Sequence, residues 1–234
     1  MVEHIVSAFE AELRSLSEKL AEMGGLAEKL LGESIEALLG RDTALAQRVI
    51  ATDRSIDRLQ REIEEEAVLT IARRQPVALD LREVVAAMRM SNDLERIGDL
   101  AKNIAKRVLA LEGQAQPPKL ASGVKHMGDL VQAQLKEVLD AYAQRDPERA
   151  LQVWRRDGEI DALYTSLFRE LLTYMMEDPR NIGFCTHLLF CAKNVERIGD
   201  HATNIAETVY YFVVGETLTG ERPKQDTTSL TRLD

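Results

Sequence analysis

The stretch NDLERIGDLAKNIA at residues 92–105 returns as KNVERIGDHATNIA at residues 193–206, an offset of 101. In both copies the apolar positions alternate spacings of three and four. Extended outward, the first gives Ala87, Met90, Leu94, Ile97, Ala101, Ile104, Val108 and Leu111. The second gives Leu188, Cys191, Val195, Ile198, Ala202, Ile205, Val209 and Phe212. Each is the seam of a long amphipathic helix in an antiparallel bundle. Upstream, RDTALAQRVIATDRSID at 41–57 pairs with RDPERALQVWRRDGEID at 145–161, offset by 104. The change from 104 to 101 puts a three-residue difference in the loop between the second and third helix of each half. The chain is an internal duplication.

The prolines mark the helix ends. Pro76, Pro117, Pro118, Pro147, Pro179 and Pro223 all fall between periodic segments, where a residue without an N–H breaks no helix. Six helices are expected, over roughly 2–40, 43–74, 78–111, 120–145, 147–176 and 180–214. Asp42 and Asp146 stand where N-caps belong, with Pro147 at the first helical position. The fold expected is all-α, two tandem three-helix bundles over 1–112 and 120–215. A Pro-Pro linker from Gly113 to Lys119 joins them, and an aperiodic tail over 216–234 reads as mobile. The two units are expected to share a face, end to end or side by side.

Composition agrees and narrows the function. With 45% hydrophobic residues, only 5% aromatics and 6 prolines in 234 residues, the chain is neither disordered nor built of many short strands. A net charge of −9 leaves no basic field to hold a nucleic acid. Cys185 and Cys191 form neither a CxxC nor a disulfide framework. The acidic N-terminus has no signal-peptide pattern, and the longest uncharged apolar run, 181–192, is too short for a bilayer. A cytoplasmic protein with no membrane insertion is expected.

The repeated helices carry the candidate chemistry. Glu95-Arg-Ile-Gly-Asp99 and Glu196-Arg-Ile-Gly-Asp200 are identical. In each, the two carboxylates lie one helical turn apart at the border of the seam. The second helix of each half adds Asp53 with Asp57, and Asp157 with Asp161, at the same spacing. Asp53 and Asp57 precede Pro76 by 23 and 19 residues, while Glu95 and Asp99 follow it by 19 and 23. In an antiparallel hairpin the pairs meet at one height, and counting around Pro179 gives the same result for the second half. A like-charge pair at 4 Å costs about 4 kcal/mol at an effective dielectric of 20. No Lys or Arg is evident on the same face, since Arg96 and Arg197 project about 100° further round. Such sets take up protons or bind cations, and oxygen donors favour Mg²⁺, Ca²⁺ or Mn²⁺, or carboxylate-bridged iron.

An isolated acidic pair on a helix is ordinarily a solvated face, so the duplication and the matched heights single these eight out. Gly98 and Gly199 leave room for an ion or for a close helix. His201 is expected at the helix interface, and Cys185, Cys191, Phe184 and Phe190 in the core. No Glu-x-x-His, HExxH, Walker A, GxSxG or GxGxxG pattern occurs, so no enzyme is expected. The alternative is a carboxylate-bridged metalloenzyme of phosphohydrolase type.

Two tandem units, each with an E-R-I-G-D segment on its last helix, resemble the PhoU family, and ERIGDHATNIAE at 196–207 is close to that family's signature. The resemblance spans about residues 1–215. It implies metal bound at Glu95 with Asp99 and at Glu196 with Asp200, together with acidic residues of the neighbouring helix, for which Asp53, Asp57, Asp157 and Asp161 are the candidates. The metal stays open among iron, zinc, magnesium and manganese, and Asn194 in place of Asp93 removes one further ligand from the second half. The resemblance also implies a homodimeric, non-enzymatic repressor of the phosphate-starvation response. Such a protein links the PstSCAB transporter to the PhoR sensor kinase, with PstB and PhoR as partners.

Overall fold

A computed structural model describes residues 2–113, 121–220 and 222, with side chains from residue 8 onward. Among them are seven α-helices, one 3-10 turn and no strand. Helices α1 (Val2–Gly40), α2 (Thr43–Arg74) and α3 (Ala78–Ala110) form the first bundle. The second comprises α4 (Ala121–Gln144), α5 (Pro147–Arg155), α6 (Asp157–Glu177) and α7 (Ile182–Val214). Most of the expected Pro-Pro linker and most of the tail lie outside the described residues.

Cap chemistry sets the hairpin turns. Asp42 accepts from the Leu45 N–H at 2.8 Å, and Asp146 accepts from the Glu148 and Arg149 N–H groups. Each cap follows an arginine in the left-handed region, Arg41 at φ 55° and Arg145 at φ 52°, so both halves make the same turn. The expected difference is not in the loop: the α2–α3 turn is residues 75–77, and Asp178 with the 3-10 turn Pro179–Asn181 makes its counterpart one residue longer. The extra length of the first half lies in the helices, chiefly at the start of α3, where Asn92 is 14 residues after Ala78 and the matching Lys193 only 11 after Ile182.

All sixteen seam residues of α3 and α7 are buried, none more than 6% exposed. At about 25 cal/mol per Å² of apolar surface, this continuous seam is the main force holding the helices together. It is also why the bundles pack lengthwise: α3 lies against α7, and α1 against α4. Polar contacts fix that docking. Arg145 donates to both oxygens of the buried Glu83 at 2.9 and 3.0 Å, and Arg82 donates to the Phe212 carbonyl.

The structure departs from expectation at two places in the second half. The expected helix 147–176 is broken at Arg156, whose ψ of 3° interrupts the ladder. Gly158 weakens the helix there. The break also turns Asp157 inward, where it accepts from the Thr203 hydroxyl on α7 at 2.8 Å. Phe190 is not in the core. It precedes the seam residue Cys191, is 49% exposed, and carries the Arg107 guanidinium 4.3 Å above its ring.

Candidate metal centre

The structure brings the eight expected carboxylates near one another in two sets, at corresponding places in the halves, with cations interleaved among them. In the first, α2 presents Asp53 and Asp57 to Glu95 and Asp99 on α3. Asp53 is buried, and the other three are partly open. Burial pushes the Asp53 carboxyl up, and Asp57 and Asp99 add to this against Lys102. Burial also raises Glu95, reinforced by Asp99, Asp57 and Asp53. The four carboxylates thus feel one another, as the matched heights require.

The expectation that no cation shares their face is wrong. The Lys102 ammonium donates to Asp53 Oδ2 and Asp99 Oδ1, each at 2.5 Å. Burial opposes its charge, but the hydrogen bonds and charges of those carboxylates more than compensate and raise its pKa. Arg96 also reaches back, 3.5 Å from Asp99 Oδ2. A long side chain at i+3 from Asp99 comes round to the same oxygens. That spacing was visible in the sequence.

The second set has Asp157 and Asp161 at the start of α6, facing Glu196 and Asp200 on α7. Asp157, Asp161 and Glu196 are at most 5% exposed. Burial lifts the Glu196 carboxyl, opposed by Lys193 (2.7 Å) and assisted by Asp200 and Asp161. Thr203 stands where the first half has Lys102, so the cation between Asp157 and Asp200 comes from elsewhere. Arg222, beyond the last helix, donates from Nε and Nη2 to the two oxygens of Asp157 at 2.6 and 2.8 Å. Its Nη2 also donates to Asp200 Oδ1 at 2.7 Å. No periodicity or spacing pointed to Arg222.

Oxygen donors of this kind suit a hard cation. Each set keeps one buried carboxylate oxygen without a hydrogen-bond partner, Asp53 Oδ1 and Glu196 Oε2. Among the described residues, however, no three His, Cys, Asp or Glu side chains converge closely enough to hold an ion as they stand. Lys102 and Arg222 lie between the oxygens. The donor sets therefore fit a metal that displaces an ammonium or a guanidinium, not one that enters a preformed hole.

The two glycines differ. A Cβ on Gly98 would lie 2.9 Å from Ile56 Cδ1 and 3.2 Å from Asp53 Oδ1, so here the absence of a side chain admits α2. At Gly199 the nearest atom would be Val131 Cγ2 at 3.5 Å, an ordinary contact. His201 does line the interface, with Nδ1 2.8 Å from Asp93 Oδ1 of the other bundle.

The model of one family, described as the PhoU domain, matches residues 20–108 and again 124–209. The chain belongs to the PhoU family. A relative from Rhizobium meliloti (strain 1021), named a phosphate-specific transport system accessory protein PhoU homolog, is 61% identical over 226 residues, covering 97% of this chain and 95% of its own length. A relative of the same name from Caulobacter vibrioides (strain NA1000 / CB15N) is 53% identical, with 98% and 100% covered. The crystal structure of PhoU from Pseudomonas aeruginosa superposes with a TM-score of 0.85 at 44% identity, covering 89% of this chain and 100% of that one. The PhoU of Streptococcus pneumoniae, a phosphate transport system regulatory protein, does so at 0.82 and 30% identity, with 90% and 99% covered. The match to PhoU thus takes in both halves and both carboxylate sets.

Proposed function

We propose that this chain is an accessory regulator of phosphate-specific transport that represses the phosphate-starvation response when phosphate is plentiful. The observation that supports the reading is the near end-to-end match, at 61% identity, to a relative named as a phosphate-specific transport system accessory protein PhoU homolog. The chain works as a non-enzymatic adaptor in the cytoplasm, bringing the PstB ATPase of the PstSCAB transporter together with the PhoR sensor kinase, and it does so as a homodimer. Among the described residues no helix is long and apolar enough to cross a membrane, so contact with the transporter would be made from its surface.

In this reading the two carboxylate sets are regulatory or structural cation sites. Asp53, Asp57, Glu95 and Asp99 hold one divalent metal or iron centre, and Asp157, Asp161, Glu196 and Asp200 hold the other. A bound metal supplies the positive charge that Lys102 and Arg222 otherwise provide. It thereby ties the second and third helices of each half at mid-height, through charge-assisted contacts stronger than neutral hydrogen bonds. The hairpins then present their outer faces in one fixed arrangement.

The test is genetic and biochemical. Deleting the gene should leave a phosphate-repressible phosphatase reporter active in phosphate-rich medium, and the wild-type chain should restore repression. The chain should also co-purify with the transporter ATPase. A reporter that stays repressed in the deletion strain would refute the role. Phosphoester turnover by the purified chain, abolished by Glu95→Ala with Asp99→Ala, would favour the metalloenzyme instead.

A further inference from the structure

The halves differ in how they neutralise their carboxylates. In the first, the counter-cation Lys102 is on α3 itself, three residues from Asp99, and cannot leave the neighbourhood. At the equivalent place in the second, Thr203 donates to Asp157 and, through a 3.1 Å bond, to the Gly199 carbonyl. The positive charge is brought in by a separate segment. The chain leaves α7 at Gly215, whose φ of +86° lies in the left-handed region that favours glycine, and where a Cβ would press within 3.0 Å of Arg82 Nη1. Thr217, Leu218 and Gly220 then line a cleft of about 370 Å³ together with Arg89, Trp154 and Tyr211.

Arg222 ends this path with its side chain only 19% exposed. Besides the Asp157 and Asp200 carboxylates, it donates to the Asp200 carbonyl and to Asn204 Oδ1, both at 3.2 Å. A hard divalent ion needs carboxylate oxygens at roughly 2.0–2.6 Å, and Arg222 nitrogens hold those same oxygens. Guanidinium and metal cannot occupy the position together.

We propose that Arg222 is the resident counter-cation of the second carboxylate set, that a divalent cation binding there expels it, and that residues 216–220 then leave the cleft beside Trp154 and Tyr211. The first set has no equivalent, so metal occupancy is read out at one end of the pseudo-symmetric pair only. By linkage, the docked arm weakens the apparent affinity of the second set by the fraction of molecules in which it is undocked. The proposal rests on the reading of the carboxylate sets as cation sites.

A reporter is built in. Trp154 is the single tryptophan of the chain. A Cβ on Gly220 would lie 3.8 Å from its ring, and its Nε1 donates to Glu207 at 3.0 Å. Full-length protein stripped with chelator is titrated with Zn²⁺, which is spectroscopically silent. Bound metal is counted by equilibrium dialysis, Trp154 emission is followed, and hydrogen exchange is read over 216–220. The expected result is that filling the second set shifts the emission and speeds exchange of those amides. Arg222→Ala should show both changes without metal and bind Zn²⁺ about tenfold tighter, the factor for an arm docked about 90% of the time.

The outcomes separate the two claims. If Arg222→Ala and wild type bind Zn²⁺ at the second set with equal affinity, or exchange over 216–220 does not respond, the cation reading stands and the proposal is overturned. If neither protein binds metal there, as judged against Asp161→Asn with Glu196→Gln, both fall. Arg222→Lys should keep the arm docked more weakly, giving an intermediate affinity.

Discussion

Removing the Lys102 charge while keeping its stem, as Lys102→Met, isolates what the ammonium does between Asp53 and Asp99. Its Nζ is 2.5 Å from an oxygen of each, and the Asp53 side chain is 3% exposed against 31% for Asp99. Breaking a buried ion pair costs about 3–5 kcal/mol, while an exposed pair is worth about 0–1. With one partner buried and the other a third open, the loss should be about 2–3 kcal/mol. For a chain of this size each kcal/mol moves Tm by about 2–4 °C, so the midpoint should fall by about 4–12 °C in chelator. The same variant removes the competitor for those oxygens, so a divalent cation should bind the first set more tightly. At a hundred times its Kd the cation returns about 2.7 kcal/mol, which offsets the whole loss. Thermal melts followed by circular dichroism, with EDTA and with Mn²⁺, measure both effects. A chelated variant within about 0.5 kcal/mol of wild type would refute the assignment of Lys102 as counter-ion. So would a metal-dependent gain no larger than that of wild type.

Three other outcomes follow from the same geometry. Gly199→Ala should stabilise the chelated protein by about 0.5–1 kcal/mol, because a helix-interior glycine is replaced where a Cβ makes only ordinary contacts. Gly98→Ala should gain less or lose, since Ile56 and Asp53 must shift, and paired melts decide. The Cys191 thiol, pushed up to about 12 by burial, and Cys185, raised for the same reason, should resist iodoacetamide at pH 8 in the native protein and both react once it is unfolded. Asp53, Glu95 and Glu196 are all raised above their ordinary values by burial. The native state therefore holds protons that the unfolded chain has released, and stability from these groups is present below their ordinary pKa and lost as pH rises through the raised ones. Metal-free protein should melt higher just above the ordinary carboxylate range than at pH 7.5, and metal should flatten that difference.

Much of the fold was legible because a period of three and four, repeated at one offset, allows little besides paired long helices. Caps at Asp42 and Asp146 and the proline positions placed the ends. The break at Arg156 escaped because Val153, Ile160 and the residues between them continue a helical period. The interruption is local, at Arg156 with Gly158 beside it, and the inward contact of Asp157 with Thr203 goes with it. The carboxylate sets were visible because i, i+4 spacing and hairpin height are properties of backbone geometry alone. Their counter-ions were not, because a lysine or arginine stem reaches in directions that a helical wheel does not encode. Lys102 was within reach of an i+3 argument, and the change from Lys102 to Thr203 between the repeats marks where the halves part. Arg222 is 65 residues from Asp157 and 22 from Asp200, in a stretch without periodicity, so only the folded chain brings it there.

Whether the duplicated carboxylates are cation sites is decided by elemental analysis of the full-length chain purified without chelator, alongside Glu95→Ala/Asp99→Ala and Glu196→Ala/Asp200→Ala. Divalent metal or iron should be bound to the wild type, with each paired substitution removing the share held by its own set while the helical circular dichroism is kept. Wild-type protein free of metal, or metal content unchanged in both variants, would contradict the cation-site reading.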